Sequence, residues 1–311
     1  MEQQQNATAP KPIHCIVKLG GSAITCKNEL ETINEEDLIV VSSQLRQAMI
    51  SGSCHGMDWS KRPGSLEIPR VIDDFSDLEV IDSKKFIVVH GAGSLGTFKR
   101  ATGFVATRIS VTSLNLEIVR ALAKEGIPSI GMSPFSCGWS TRERNIAVAD
   151  VSTVAKATDN GFVPVLHGDA VLDTSLDCTI LSGDIITRHL AAELKPDYVV
   201  FLTDVLGVYD RPPIETDAVL LREIAVREDG SWFVLKPELQ DMNRQVEITV
   251  AAHDTTGGMV TKISEAALIA KHAIDVYIVK AATDHSLRAL RGDLKENIPD
   301  DWLGTVIRLV K

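Results

Sequence analysis

Surplus positive charge is what this sequence most lacks. It has 32 Lys and Arg against 42 Asp and Glu, a formal net charge of −10. That balance excludes nucleic acid as the main partner, because phosphate backbones are held by basic surfaces. It leaves room for a small phosphorylated substrate, which single lysines and glycine turns can hold. No apolar run is long enough to span a bilayer, so no membrane partner is expected. The five cysteines (Cys15, Cys26, Cys54, Cys137 and Cys178) are odd in number and lack metal-ligand spacing. They exclude a disulfide framework and a thiolate metal site, and no metal ligands are assigned elsewhere. Reduced thiols in a cytoplasmic protein are the expectation. The first ten residues lack the basic and apolar regions of a signal peptide. Residues 1–12 are read as a disordered tail and 13–311 as a single domain, without internal repeat or linker.

What is present is a repeated pattern of buried strands running into small-residue turns. Phe86 to Val89 is a short apolar, β-branched run, followed by His90, Gly91, Ala92, Gly93, Ser94 and Gly96. Such a turn lets backbone N–H groups approach an anion, and a helix starting there adds a favourable dipole. One such turn is equally a tight strand-to-helix connection. Three others share the pattern. Ile16-Val17 leads into Lys18-Leu19-Gly20-Gly21-Ser22, Phe162 to Leu166 leads into His167-Gly168-Asp169, and Val199 to Leu202 leads into Thr203-Asp204. In an open parallel sheet these turns lie together at the carboxyl ends of strands, where such sheets bind ligands. The four together point to a phosphate-rich ligand.

Lys18 precedes its glycines, unlike the lysine of a P-loop. At a strand end it can still reach transferred phosphate oxygens as a point charge. Lys27 is a second candidate cation. Glu35 to Met49 reads as a helix with Leu38, Val41, Leu45 and Ala48 on one face. Residues 51–84 read as a surface excursion without chemistry. Phe104 to Glu125 reads as a helix closed by Gly126, with Val105, Ile109, Leu116, Val119, Leu122 and Ala123 supplying its apolar face. A short strand over 127–132, a helix over 148–159 and a small hairpin over 170–181 follow. Ser182-Gly183-Asp184 opens a helix over 185–194. Asp184 reads equally as a helix cap and as a carboxylate that orients a lysine or a metal. Asp204 and Tyr209 suit a nucleotide site and equally suit turn and core positions. Residues 228–244 read as a polar surface excursion. Thr256-Gly257-Gly258-Met259 leads into a helix over 261–273, with Lys262 in its first turn. A lysine there opposes the helix dipole, which a nearby anion would explain. The last strands are 275–279 and 305–310.

These segments resemble one known family. Lys18-Leu-Gly-Gly-Ser22, His90-Gly-Ala-Gly-Ser94, His167-Gly-Asp169, Ser182-Gly-Asp184, Thr203-Asp-Val-Leu-Gly-Val-Tyr209 and Thr256-Gly-Gly-Met259 are similar, in order, to motifs of the amino acid kinase superfamily. Within it they resemble the plant-type isopentenyl phosphate kinases. The resemblance implies an α/β fold, a three-layer αβα sandwich around a mainly parallel open sheet, usually as a homodimer. It implies a phosphotransferase that moves the ATP γ-phosphoryl to isopentenyl phosphate with Mg²⁺, with dimethylallyl or longer isoprenoid phosphates as further acceptors. By position it implies that Lys18, Leu19, Gly20, Gly21 and Ser22 embrace ATP phosphates. Gly93, Asp204, Tyr209, Gly258 and Lys262 would line the nucleotide site, and Ala92, Gly96 and Gly183 would contact the acceptor. Lys18, Lys27 and Lys262 would serve transfer, oriented by Asp184.

The chain departs from the family at Thr97, where the family's glycine turn ends in a histidine that contacts the acceptor phosphate. The segment behind it, up to Gly103, is shorter than in the family. A threonine cannot carry charge, and losing a charge-assisted contact costs on the order of 1.5–3 kcal/mol. A weakened, nucleotide-binding relative is therefore the alternative expectation.

Overall fold

A computed structural model describes residues 12–26, 32–50, 84–91, 101–237 and 258–310. The chain opens with strand β1 (Ile13–Leu19), a single-turn helix α1 (Gly21–Ile24) and helix α2 (Glu35–Met49). Strand β2 (Lys85–His90) and the long helix α3 (Ala101–Lys124) follow, then β3 (Ser129–Met132), β4 (Ser140–Arg142), β5 (Asn145–Val148) and α4 (Ser152–Asp159). Next come β6 (Val163–His167), β7 (Asp169–Asp173), β8 (Asp177–Leu181), α5 (Gly183–Leu194), β9 (Tyr198–Thr203), β10 (Val208–Tyr209) and β11 (Leu220–Leu221). The chain closes with β12 (Glu223–Val226), β13 (Trp232–Lys236), α6 (Gly258–Ala270), β14 (Asp275–Lys280), α7 (Asp284–Arg291) and β15 (Thr305–Leu309).

Nine strands form one sheet in the order β13-β12-β15-β14-β9-β1-β2-β6-β3. All neighbours run parallel except β13 with β12 and β14 with β15. Strand parity sorts the core into two layers, because successive side chains point to opposite faces. Ile16, Ile87, Val89, Val199, Phe201, Val276 and Ile278 join residues of α4, α5 and α6 in one cluster. Cys15, Val17, Leu19, Phe86, Val88, Val200, Leu202, Tyr277 and Val279 join α1, α2, α3 and α7 in the other. The three layers expected from the resemblance are thus present. Strand β1 lies between β2 on one side and β9 on the other. At that switch point the carboxyl ends form a crevice.

Several expectations need correction. Residues 228–244 are not a surface excursion throughout: after an exposed turn, Trp232–Lys236 is edge strand β13, which pairs with β12 and buries Val234, and 238–244 lie outside the described residues. Polar neighbours on both sides hid its short apolar run, Trp232 to Leu235. Val148 ends a strand rather than starting a helix, which begins at Ser152. On α3 the core face is Thr107, Val111, Asn115, Ile118 and Leu122, whereas Val105, Ile109 and Leu116 are about half exposed. The sequence offered two apolar stripes, and the sheet covers one. Helix α7 was not anticipated, although Thr283 and Ser286 close a capping box and Gly292 ends it in the left-handed region. The four apolar positions expected on α2 are all buried.

Candidate active site

The crevice is built at the carboxyl ends of β1, β2, β6 and β9, which the ladders hold in register. Leu19 pairs with His90 and with Leu202, and His90 pairs with His167. Lys18 shares the parity of Ile16, so its side chain leaves β1 toward the α5 and α6 layer. There it meets Asp184. Lys18 Nζ lies 2.7 Å from Asp184 Oδ1, an ionic contact poorly aligned for a hydrogen bond. Lys262 Nζ donates to Asp184 Oδ2 at 3.4 Å and stands 5.6 Å from the centre of the Phe201 ring. Two cations and one carboxylate are thereby shared among β1, α5 and α6, with the side chains 7%, 13% and 11% exposed for Lys18, Lys262 and Asp184.

The double reading of Asp184 is settled by Ser182, two residues before it. Ser182 is the N-cap of α5, and its Oγ accepts from Asp184 N–H at 3.1 Å. The carboxylate of Asp184 is left for the lysines. Burial alone would raise this carboxyl, but Lys18 and then Lys262 outweigh it and hold it down at about 2. Lys262 is pushed down to about 8, first by burial and then by the Lys18 charge. It sits in the second turn of α6, which starts earlier than expected, and the anion beside it is Asp184 itself.

A carboxylate with a lowered folded pKa contributes stability above its unfolded value and loses it as pH falls through the folded one. The contribution of Asp184 should be complete above about pH 4 and fade toward pH 2, amounting to about 2 kcal/mol. Urea unfolding across that range, with an Asp184→Asn control whose acid loss is smaller, measures it.

Close backbone approaches complete the crevice. Gly20 N–H donates to Leu202 O at 2.8 Å, and a Cβ at Gly20 would stand 2.8 Å from that oxygen. A Cβ at Gly183 would stand 2.9 Å from His90 O, so the start of α5 rests directly on the end of β2. Ser22 Oγ donates to Asp204 Oδ1 at 2.9 Å, tying the first glycine turn to the turn after β9. Leu19 borders the crevice only through its backbone, since its side chain is core. Tyr209 lies half-buried on the β10–β11 ribbon opposite Leu220, and no hydrogen bond joins it to the lysine–carboxylate group among the described residues. Gly258 opens α6 one turn before Lys262. Lys27, Ala92, Gly93, Gly96 and Thr97 lie outside the described residues.

The histidines at the strand ends are structural. His90 and His167 are buried with ring centres 5.5 Å apart. Gly91 O can only accept, so His90 Nδ1 carries the proton it donates at 2.8 Å, and Nε2 accepts from Asn115 at 3.1 Å. Burial first, and then the neighbouring His167, push His90 down to about 3, so it stays neutral.

One cluster was not anticipated. Asp169 is fully buried and accepts from Arg108 at 2.6 Å, Ser133 Oγ at 2.9 Å and Phe135 N–H at 3.1 Å. It pins α3 and the loop after β3 to the start of β7. The motif held Asp169, but only burial shows that the carboxylate needs a cation.

Known proteins share this architecture. The model of the amino acid kinase family matches residues 14–280. An isopentenyl phosphate kinase of Arabidopsis thaliana is 64% identical, covering 100% of both chains. That alignment runs over 332 positions against 311 residues here, so the relative carries residues without a counterpart. An isopentenyl phosphate kinase of Methanothermobacter thermautotrophicus is 32% identical, covering 89% of this chain and 95% of its own. Among solved structures, an isopentenyl phosphate kinase is 28% identical with a TM-score of 0.66, over 94% of this chain and 99% of that one. Nothing in these likenesses supports a weakened relative. With the family model over residues 14–280 and relatives 64% and 32% identical over most or all of its length, the chain belongs to the amino acid kinase family and, within it, to the isopentenyl phosphate kinases.

Proposed function

We propose that the chain transfers the γ-phosphoryl group of ATP to isopentenyl phosphate, giving isopentenyl diphosphate and ADP. The observation that carries this reading is the convergence of Lys18 and Lys262 on buried Asp184, at the carboxyl edge of a parallel sheet. The acceptor is a phosphate monoester whose second pKa is about 6, so it is largely deprotonated at neutral pH. No strong general base is then needed. The work left to the protein is positioning and charge neutralisation. Lys18 and Lys262 supply positive charge, Asp184 keeps both aimed at one point, and the glycine turns bring backbone N–H groups to the phosphates. The start of α5, with Gly183 against β2, adds the positive end of its dipole.

Among the described residues no group of three His, Cys, Asp or Glu side chains is placed to hold a metal ion. Asp184 is spent on lysines. This donor set fits magnesium that arrives on ATP, held mainly through phosphate oxygens. Bound so, it would neutralise phosphate charge and favour the leaving ADP. Dimethylallyl and longer isoprenoid phosphates are proposed as further acceptors. Homodimerisation is proposed as well, and the exposed Val105, Ile109 and Leu116 on α3 offer a face for it. A cytoplasmic location is part of the same reading. Among the described residues no helix is long and apolar enough to cross a membrane.

The test is ADP release with ATP, Mg²⁺ and isopentenyl phosphate. Acceptor-dependent turnover is expected. A protein that binds ATP but releases no ADP with any isoprenoid phosphate would overturn the reading.

A pH profile probes Lys262. In kcat/KM for ATP, which reports the free enzyme, activity should fall as pH rises through about 8, where Lys262 loses its proton. A Lys262→Arg variant stays charged throughout. Its alkaline limb should vanish, and a limb that persists assigns the titration to another group.

A further inference from the structure

Helices α5 and α6 face each other with four charges in two rungs. The first rung is Asp184 of α5 against Lys262 of α6. One turn further along each helix, Arg188 Nε lies 2.7 Å from Glu265 Oε2, with the glutamate side chain 13% exposed. The polarity alternates. Helix α5 presents minus then plus, and α6 presents plus then minus. Both helices begin at the crevice edge, so they run alongside in the same sense. Sliding α6 along α5 by one turn, about 5.4 Å, would set Lys262 beside Arg188 or Glu265 beside Asp184. Each is a like-charge contact. The apolar layer between them, with Ile186 and Leu190 on α5 and Ile263, Ala266 and Ala267 on α6, does not set the register as strongly. Small and branched side chains tolerate a shift better than opposed charges do.

Resting on the reading above, we propose that Arg188 and Glu265 are positioning residues for phosphoryl transfer. Their ion pair locks the register of α6 on α5 so that Lys262 is delivered to Asp184. Neither forms an ion pair with Lys18 among the described residues. Glu265 is not spare acidity either, because its one charged partner across the helix interface is Arg188 among the described residues.

The experiment uses the full chain and two readouts. The first is steady-state ADP release. Arg188→Gln and Glu265→Gln should each lower kcat about tenfold, with KM for ATP within about threefold, because misplacement of Lys262 is felt in the transition state. The double variant should be no worse than the worse single, and Arg188→Lys should stay near the parent. The second readout is the pH midpoint for acylation of Lys262, followed by mass spectrometry without any substrate. If the lock is lost, Lys262 moves toward water and its midpoint rises toward that of an ordinary lysine, about 10.4. If Glu265 acted only as a nearby negative charge, its removal would lower the midpoint. A kcat within twofold of the parent with an unchanged midpoint, or a lowered midpoint, overturns the proposal. A parent that never phosphorylates isopentenyl phosphate overturns the function instead, and the midpoint then decides the register lock alone. Should a glutamine variant fail to fold, Arg188→Met, which removes the charge, and Glu265→Asp, whose carboxylate is one methylene short of Arg188, carry the same comparison.

Discussion

Replacing Asp184 with alanine should lower kcat/KM by about a thousandfold and destabilise the fold by about 3–5 kcal/mol. The size follows from what the carboxylate does. It is the shared counter-ion of Lys18 and Lys262, at 2.7 and 3.4 Å, and both ammonium groups are largely out of water. Without it two buried positive charges face each other. The cheaper response is loss of a proton, and Lys262 is already poised for it near pH 8. At neutral pH the variant would then present one cation to the phosphates where the parent presents two. Asp184→Asn keeps the shape and removes the charge. It separates the electrostatic loss from any packing loss, and its alkaline limb in kcat/KM should move to lower pH. Urea unfolding and ADP release give the two magnitudes. Activity within tenfold of the parent would mean that the lysines are held by something other than this carboxylate.

Gly183→Ala should lower kcat about a hundredfold and stability by about 1–3 kcal/mol. The added methyl group would stand 2.9 Å from the carbonyl oxygen of His90, 3.4 Å from its carbon and 3.6 Å from Gly91 Cα. All are backbone atoms of a strand end that cannot swing aside. His90 O is also engaged, accepting from Gly168 N–H at 2.8 Å. The start of α5 must therefore retreat, and Asp184 is the next residue along. Gly230→Ala is the matched control. Its φ of +89° is strained for alanine, but its neighbour is the end of the flexible Lys271 side chain. It should cost about 1 kcal/mol of stability and leave kcat unchanged. If Gly183→Ala behaves like Gly230→Ala, close contact between α5 and β2 is not what sets the site.

Much of the fold was legible because the chain states it locally. Buried parallel strands read as short β-branched runs, and Glu35 to Met49 carried one unambiguous apolar stripe. Where two periodicities coexisted, the sequence could not choose. Helix α3 has Val105, Ile109 and Leu116 on one stripe and Val111, Ile118 and Leu122 on another, and only contact with the sheet decides between them. Strand β13 was missed because its short apolar run lies between polar flanks, and its pairing with β12 is visible only in the sheet.

The site divides along the same line. By itself the sequence determined the chemistry on offer: lysines beside glycine turns, small residues where backbone must meet phosphate, and Ser182-Gly183-Asp184 at the start of a helix. These depend on neighbours a few residues away. Only the tertiary structure decided that Asp184 serves lysines rather than its own helix, that His90 and His167 are neutral props, and that Arg108 and Asp169 belong together. It also set Arg188 against Glu265. Each of those assignments rests on burial and on distances between groups far apart in the chain. A charge declares its role only when its surroundings deny it water and leave it one partner.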